Sequence, residues 1–384
     1  MSLLNQEGIN CKKFTGYKPC IPGVDCTEEC QSHEPIGTRI LIINLDAMGD
    51  VLMTTAQLPG LKREYPESQI FWITLPSTVP LLQNNPFIDR VFGWNEENRL
   101  VLTQQRFDVV LNADKSDRAC AFVKRLEAGE VRGFTLSDRG QIIPANEEAL
   151  YNFKMGLDDH LKFRVNERTG QDILAETWKL PYQRDEYSLL LSLEEEAFCL
   201  DRKKAWGLEE KVVVGLNTGC APLYPNKKMK VEQHVELIDM LAADERLVFL
   251  LLGGKEDTRR NDNIALEFAD LSSRVIATPT QEGLRRGMCY ENLCDIIVTG
   301  DTYGMHLGIA LKKHVLAWFG LSCWTEIDLY DRGKKFYQPD LTCSPCWKKE
   351  CPYNLECISR IDLRAIADEV IAFADSQHQA LVAA

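Results

Sequence analysis

Three short stretches of the chain hold the residues best suited to chemistry. The first is Asp46-Ala47-Met48-Gly49-Asp50, which follows an apolar run and precedes Val51-Leu52-Met53-Thr54-Thr55. Gly49 permits a tight turn, and Asp50 then stands at a helix start, where its carboxylate either faces a ligand crevice or only caps the helix. The second is Gly300-Asp301-Thr302-Tyr303-Gly304-Met305-His306, between the apolar runs 295–299 and 307–311. Thr302, Tyr303 and Gly304 can aim backbone N–H groups at an anion, and the helix dipole favours negative charge there, as in a diphosphate cradle. The competing reading is an ordinary turn capped by Asp301 or Thr302, with His306 a packed histidine. The third is Asn217-Thr218-Gly219-Cys220-Ala221, followed by Lys227, Lys228 and Lys230. These lysines supply counter-charge for phosphate or belong to a solvated helix start. A Gly253-Gly254 turn with Lys255, Glu256 and Asp257 beyond it can present a carboxylate to a ribose. No Gly-x-Gly-x-x-Gly fingerprint is present, which disfavours a nicotinamide enzyme, and a Walker phosphate loop is equally absent.

The elements that must position these stretches are short β-rich runs alternating with helical ones. Strands are expected at 39–45, 69–75, 107–113 and 131–136, and again at 211–217, 246–252, 274–278, 295–299 and 314–319. Between them, Val231, Val235, Ile238, Leu241 and Ala242 recur at helical spacing. Continuous apolar strands separated by helices mean parallel sheets covered on both faces, so the chain reads as two doubly wound α/β domains in series. In such sheets ligands bind at the carboxyl ends of the strands, where all three stretches fall. A last helix near 362–373 carries Leu363, Ile366, Ala367, Val370 and Ile371 on one face, a stripe that needs burial, with the domain junction as one place for it. The organisation expected is an extension at 1–37, domains at 38–185 and 186–340, and a cysteine-bearing end at 341–384.

Length and composition set the bounds. A chain of 384 residues accommodates two domains, and 45% hydrophobic with 26% charged residues is ordinary for a soluble globular protein. No run approaches the ~18 apolar residues of a membrane span, and the start lacks a secretory signal, so a cytoplasmic location is expected. The net charge of -13 argues against nucleic acid as a partner. Eight of the 14 cysteines form two groups, Cys11, Cys20, Cys26 and Cys30 before the first strand, and Cys343, Cys346, Cys351 and Cys357 near the end. The second group suits tetrahedral zinc or iron in a structural role, against reduced thiols or disulfides; the first is less suggestive.

Together the stretches ILIINLDAMGDVLMTT, KKMKVEQHVELI, GGKED, GDTYGMHLGIAL and CSPC resemble, in this order, the ADP-heptose heptosyltransferases of lipopolysaccharide synthesis, glycosyltransferase family 9, over about 39–373. The resemblance implies the GT-B fold, two Rossmann-like domains facing a cleft, with an acceptor-binding first domain and a nucleotide-sugar-binding second one. It implies an inverting transfer in which Asp50 is the general base. Donor contacts then fall to Gly49, Thr218, Lys227, Glu256, Asp301, Thr302, Gly304, Met305 and His306, with Lys227 on phosphate and Glu256 on ribose. It implies ADP-heptose as donor, a glycan or glycolipid acceptor, peripheral contact with the inner membrane, and no cofactor for catalysis. Where the family often has Trp-Pro, this chain has Met229-Lys230. The same family includes enzymes that glycosylate proteins, which leaves the acceptor open. A non-catalytic, metal-linked scaffold and a sugar-nucleotide epimerase or dehydrogenase are the readings from other classes.

Overall fold

The computed structural model describes residues 9–27 and 30–383. By its internal contacts the chain forms two units. One comprises residues up to Ala47, Ala56–Lys154 and Gln171–Asp185; the other comprises Met48–Thr55, Met155–Gly170 and everything from Glu186 onward.

The first unit is built on a six-stranded sheet of β1 (Thr38–Ile43), β2 (Ser68–Thr74), β3 (Arg90–Gly93), β4 (Arg106–Asn112), β5 (Glu127–Leu136) and β6 (Ile142–Pro144), in the order β3-β2-β1-β4-β5-β6. All neighbours are parallel except β5 and β6. Every residue of β2 is buried, and β1 closes on four buried residues, Ile40 to Ile43, as expected of central strands covered on both faces. The core beneath them gathers Leu41, Ile43, Phe71, Ile73, Phe107 and Val110. The described part of the N-terminal extension has no strand or helix, and Lys12 ties it to this sheet through Ser68 O at 2.6 Å and Asp89 at 3.8 Å.

The second unit carries β7 (Val212–Asn217), β8 (Leu247–Leu252), β9 (Val275–Ala277), β10 (Ile296–Gly300), β11 (His314–Trp318) and β12 (Gly333–Phe336), in the order β12-β11-β10-β7-β8-β9. All five pairings are parallel. The two centre strands, β10 and β7, therefore diverge in connectivity, one leading to β11 and the other to β8. The turns that follow them lie side by side at the switch point where α/β sheets bind ligands.

Two doubly wound α/β sheets are thus present, in agreement with the expectation from sequence. Each of the nine expected strands has a counterpart. β3, β6 and β12 add to them; each has four residues or fewer, too short to show a period. The helix expected at 231–242 is Val231–Leu241. The last helix runs Leu363–Ala383, and its apolar stripe is buried within the second unit. Leu363, Ile366, Ala367, Val370 and Ala374 enter the core of the second sheet with Val214, Leu237 and Phe249. Ile366 and Val370 are fully buried there, each worth about 2 kcal/mol in area removed from water. Among the described residues no helix is long and apolar enough to cross a membrane.

Candidate functional site

Asp50 is the third residue of the helix Met48–Thr54, so it does not cap the helix. It is exposed in the first turn, where the helix dipole favours a carboxylate. Gly49, beside it, is buried. A β-carbon at this position would overlap Cδ2 of His306 and lie 2.9 Å from its Nε2. Glycine is therefore what lets this helix rest against the imidazole, and the contact sets Asp50 next to the block that begins at Asp301.

That block opens the helix Tyr303–Ala310, in which every residue from Gly304 onward is buried. Thr302 precedes it in extended backbone, and its hydroxyl oxygen accepts from Asn217 Nδ2 at 2.7 Å. The same amide donates to Thr299 Oγ1 at 3.0 Å, which binds the turns after β7 and β10 into one surface. Asp301 pairs with Lys227, Nζ to Oδ2 2.7 Å, with the two side chains only 15% and 12% exposed. On its other oxygen Asp301 lies 4.0 Å from His306 Nε2. Burial pushes the Asp301 carboxyl up, but the charge and hydrogen bond of Lys227 oppose it, and the group is held below the usual carboxylate range. For His306 burial dominates and lowers its pKa, against the carboxylates of Asp301 and Asp50, which favour protonation. Its Nδ1 is 3.2 Å from the hydroxyl of Tyr187.

Lys227 is held as firmly as the groups it meets. Its carbonyl accepts from Trp318 Nε1 at 2.9 Å, and its ammonium sits 4.6 Å from the centre of the Trp347 ring, a cation–π contact. Trp347 belongs to the cysteine-bearing segment, and Asn226 donates to Lys349 O at 2.9 Å, so that segment packs directly on the lysine turn.

The remaining expected residues divide. Thr218 is fully buried and its hydroxyl donates to Asn261, so its side chain serves the interior. Met305 is likewise in the core. Glu256 is exposed in the turn Lys255–Asp257, whereas its neighbour Asp257 reaches back over the strand ends. Asp257 accepts from Gly254 N at 3.0 Å, and a β-carbon on Gly219 would overlap its carboxylate. Burial raises the Asp257 carboxyl pKa, with Lys228 and Arg260 opposing. Both acids, with Lys228, Arg259 and Arg260, line a cleft of about 280 Å³. The sequence places both Glu256 and Asp257 in the turn facing a ribose, with the contact assigned to Glu256, and does not single out Tyr187. Asp257 differs from Glu256 by one position in a turn, and Tyr187 is 119 residues from the histidine it touches.

Cys343, Cys346, Cys351 and Cys357 do come together: all four line one cavity of about 40 Å³ beside Asn226 and Leu321. They surround it without converging. Among the described residues no set of three or more His, Cys, Asp or Glu side chains is arranged to hold a metal ion, so a structural zinc or iron here is not supported. The thiols are free, and Cys357 is pushed up to about 11 by burial and by its three neighbours.

Residues 99–356 match the model of glycosyltransferase family 9 (heptosyltransferase). Lipopolysaccharide heptosyltransferase 1 of Campylobacter coli is 21% identical over 304 residues, 73% of this chain and 84% of that protein. Among solved structures, ADP-heptose lipopolysaccharide heptosyltransferase II of E. coli superposes with a TM-score of 0.66 at 18% identity, over 89% of this chain and all of the other. E. coli heptosyltransferase WaaC with ADP gives 0.58 at 17% identity, over 88% and 98%.

Proposed function

The chain belongs to glycosyltransferase family 9 and is a glycosyltransferase, and from that premise we propose that it transfers heptose from ADP-heptose, with inversion, to a lipopolysaccharide core or related surface glycan. The observation that carries this reading is the unbroken run of contacts from Lys227 through Asp301 and His306 to Gly49, which puts a cation, a helix N-terminus and the Asp50 carboxylate in one place.

In this mechanism Asp50 accepts the proton of the acceptor hydroxyl as its oxygen attacks the anomeric carbon. The bond from that carbon to the diphosphate oxygen breaks on the opposite face, through an oxocarbenium-like transition state. Negative charge growing on the leaving diphosphate meets Lys227 and the backbone N–H groups of Thr302, Tyr303 and Gly304, which are fixed before the reaction starts. The bond made and the bond broken balance in electrons, so the transfer needs no cofactor. Asp257, with its carboxylate over Gly219, is better placed than exposed Glu256 to take the ribose hydroxyls. The ADP held by the E. coli WaaC structure and the heptosyl transfer named for the C. coli relative support an ADP-linked heptose as donor. A lipid-linked acceptor places the reaction on the cytoplasmic face of the inner membrane, with peripheral contact.

A thermal-shift panel of sugar nucleotides tests the donor. ADP-heptose at a hundred times its Kd adds about 2.7 kcal/mol to folding stability, while UDP- and GDP-sugars at equal concentration add far less. Stabilisation by a UDP-sugar with none by ADP-heptose would overturn the assignment. Transfer assays with lipopolysaccharide core and with protein acceptors then decide the acceptor.

A further inference from the structure

We propose that Tyr187 is a positioning residue of the transfer site, whose hydroxyl holds the His306 imidazole in a single tautomer and orientation with an Nε2–H donor turned toward Asp301 and the Gly49-Asp50 turn. The inference deepens the glycosyltransferase reading and rests on its assignment of this site.

Both side chains are sequestered, Tyr187 at 4% and His306 at 7% exposure. The Tyr187 hydroxyl is 3.2 Å from His306 Nδ1, and the two rings lie 6.1 Å apart at 14°. The Tyr330 ring meets Tyr187 edge-on at 6.0 Å and 85°, which fixes the phenol from its other side. Next along the chain, Ser188 N donates to Thr55 Oγ1 at 2.9 Å, just past the end of the helix Met48–Thr54. The segment carrying Tyr187 therefore grips that helix twice, at its far end directly and at Gly49 through His306.

The tautomer follows from what surrounds each ring nitrogen. A neutral imidazole has one donor and one acceptor nitrogen, and burial keeps His306 neutral by lowering its pKa. Nε2 faces Asp301 at 4.0 Å, and the Asp50 carboxylate adds to the negative field. A lone pair there would be repelled, so the proton belongs on Nε2. Nδ1 must then accept, and the group beside it is a phenol that stays protonated, because burial, Tyr330 and Asp50 all raise its pKa. The phenol O–H donates to Nδ1, and no other hydrogen-bond partner of Nδ1 is present among the described residues. Without that donor Nδ1 has no partner, and the tautomer is held only by the carboxylates that face Nε2. The expected consequence is a slower chemical step with little change in donor affinity, because Tyr187 is too deep to meet the donor itself.

The test uses the full-length protein labelled with ¹⁵N-histidine, in which nitrogen chemical shifts report the tautomer and the His306 signals are assigned by their loss in His306→Gln. The wild type is expected to show protonated Nε2 and acceptor Nδ1, and Tyr187→Phe a shift toward mixed tautomers. The same variant is expected to lose about ten-fold in kcat, with the donor KM within two-fold of wild type. Protonated Nδ1 in the wild type overturns the proposal even if the variant fails to fold. An unchanged His306 spectrum, or a kcat equal to wild type, in a folded Tyr187→Phe does so as well. Absence of sugar transfer by the wild type, with the tautomer as stated, would instead count against the glycosyltransferase reading.

Discussion

Replacing Gly49 with alanine adds one methyl group at the tightest point of the site. The new β-carbon would overlap His306 Cδ2 and sit 2.9 Å from Nε2, against an ordinary contact of 3.4 Å or more, so relieving the Cδ2 overlap parts helix and imidazole by about 1 Å. The ring has nowhere to retreat, since Tyr187 holds Nδ1 and Asp301 lies beyond Nε2. The helix must move, and Asp50 moves with it. Overpacking of this kind costs ~1 to 3 kcal/mol, and alanine returns up to about 1 kcal/mol in helix propensity, so net destabilisation should be at most ~3 kcal/mol. Turnover is more sensitive: a misplacement of about 1 Å costs on the order of 100-fold, and half of that should cost at least ten-fold. The assay pairs denaturant unfolding with steady-state transfer for Gly49→Ala, His306→Ala and the double variant. His306→Ala makes room for the methyl, so the two changes should be non-additive in stability, the double variant being more stable than the sum implies. Additive stabilities, or a Gly49→Ala enzyme with wild-type kcat, would refute the claim that this glycine sets the place of Asp50.

Lys227→Ala leaves Asp301 buried without its cation, which should cost ~3 to 5 kcal/mol at neutral pH and raise the donor KM. Because the folded Asp301 pKa is depressed in the wild type, its stabilisation is present above the unfolded value near 4 and lost below it; the deficit of Lys227→Ala should therefore shrink in melts below about pH 4. Asp257→Asn should raise the donor KM by about ten-fold or more while Glu256→Gln stays within two-fold; equal effects would remove the distinction between them. His234 is fully buried, neither ring nitrogen has a partner among the described residues, and burial lowers its pKa to about 3. The unfolded chain takes up that proton first as pH falls below 6.5, so His234→Leu should gain stability over the wild type by about 2 kcal/mol between pH 8 and pH 5. A pH-independent difference in unfolding free energy would contradict it.

Much of this architecture is legible in the sequence because parallel strands buried on both faces are written as continuous apolar runs, such as 246–252, bounded by turns that cannot continue them. The short edge strands β3 and β12 leave no such trace. Lys227, Asp301 and His306 are legible as residue types at strand ends, but their mutual pairing is not, since β7 and β10 become neighbours only through the sheet order. Tyr187 lies in a stretch with no period and no motif. Its role exists only through the distance to His306. The contacts that group Met48–Thr55 with the second unit depend likewise on the glycine–imidazole fit, which adjacency along the chain does not announce. The cysteines of 343–357 have a spacing that suits a metal; in the structure the four line one cavity, and their segment supplies Trp347 to Lys227.

The central claim is that Asp50 takes the acceptor proton on a site whose donor contacts come from elsewhere. Asp50→Asn keeps the size of the side chain and removes its basicity. Measured side by side, transfer by this variant should fall about 10³-fold, within the range known for loss of a general base, while the Kd for donor nucleotide stays within a few-fold of wild type. Transfer within ten-fold of wild type would contradict the account.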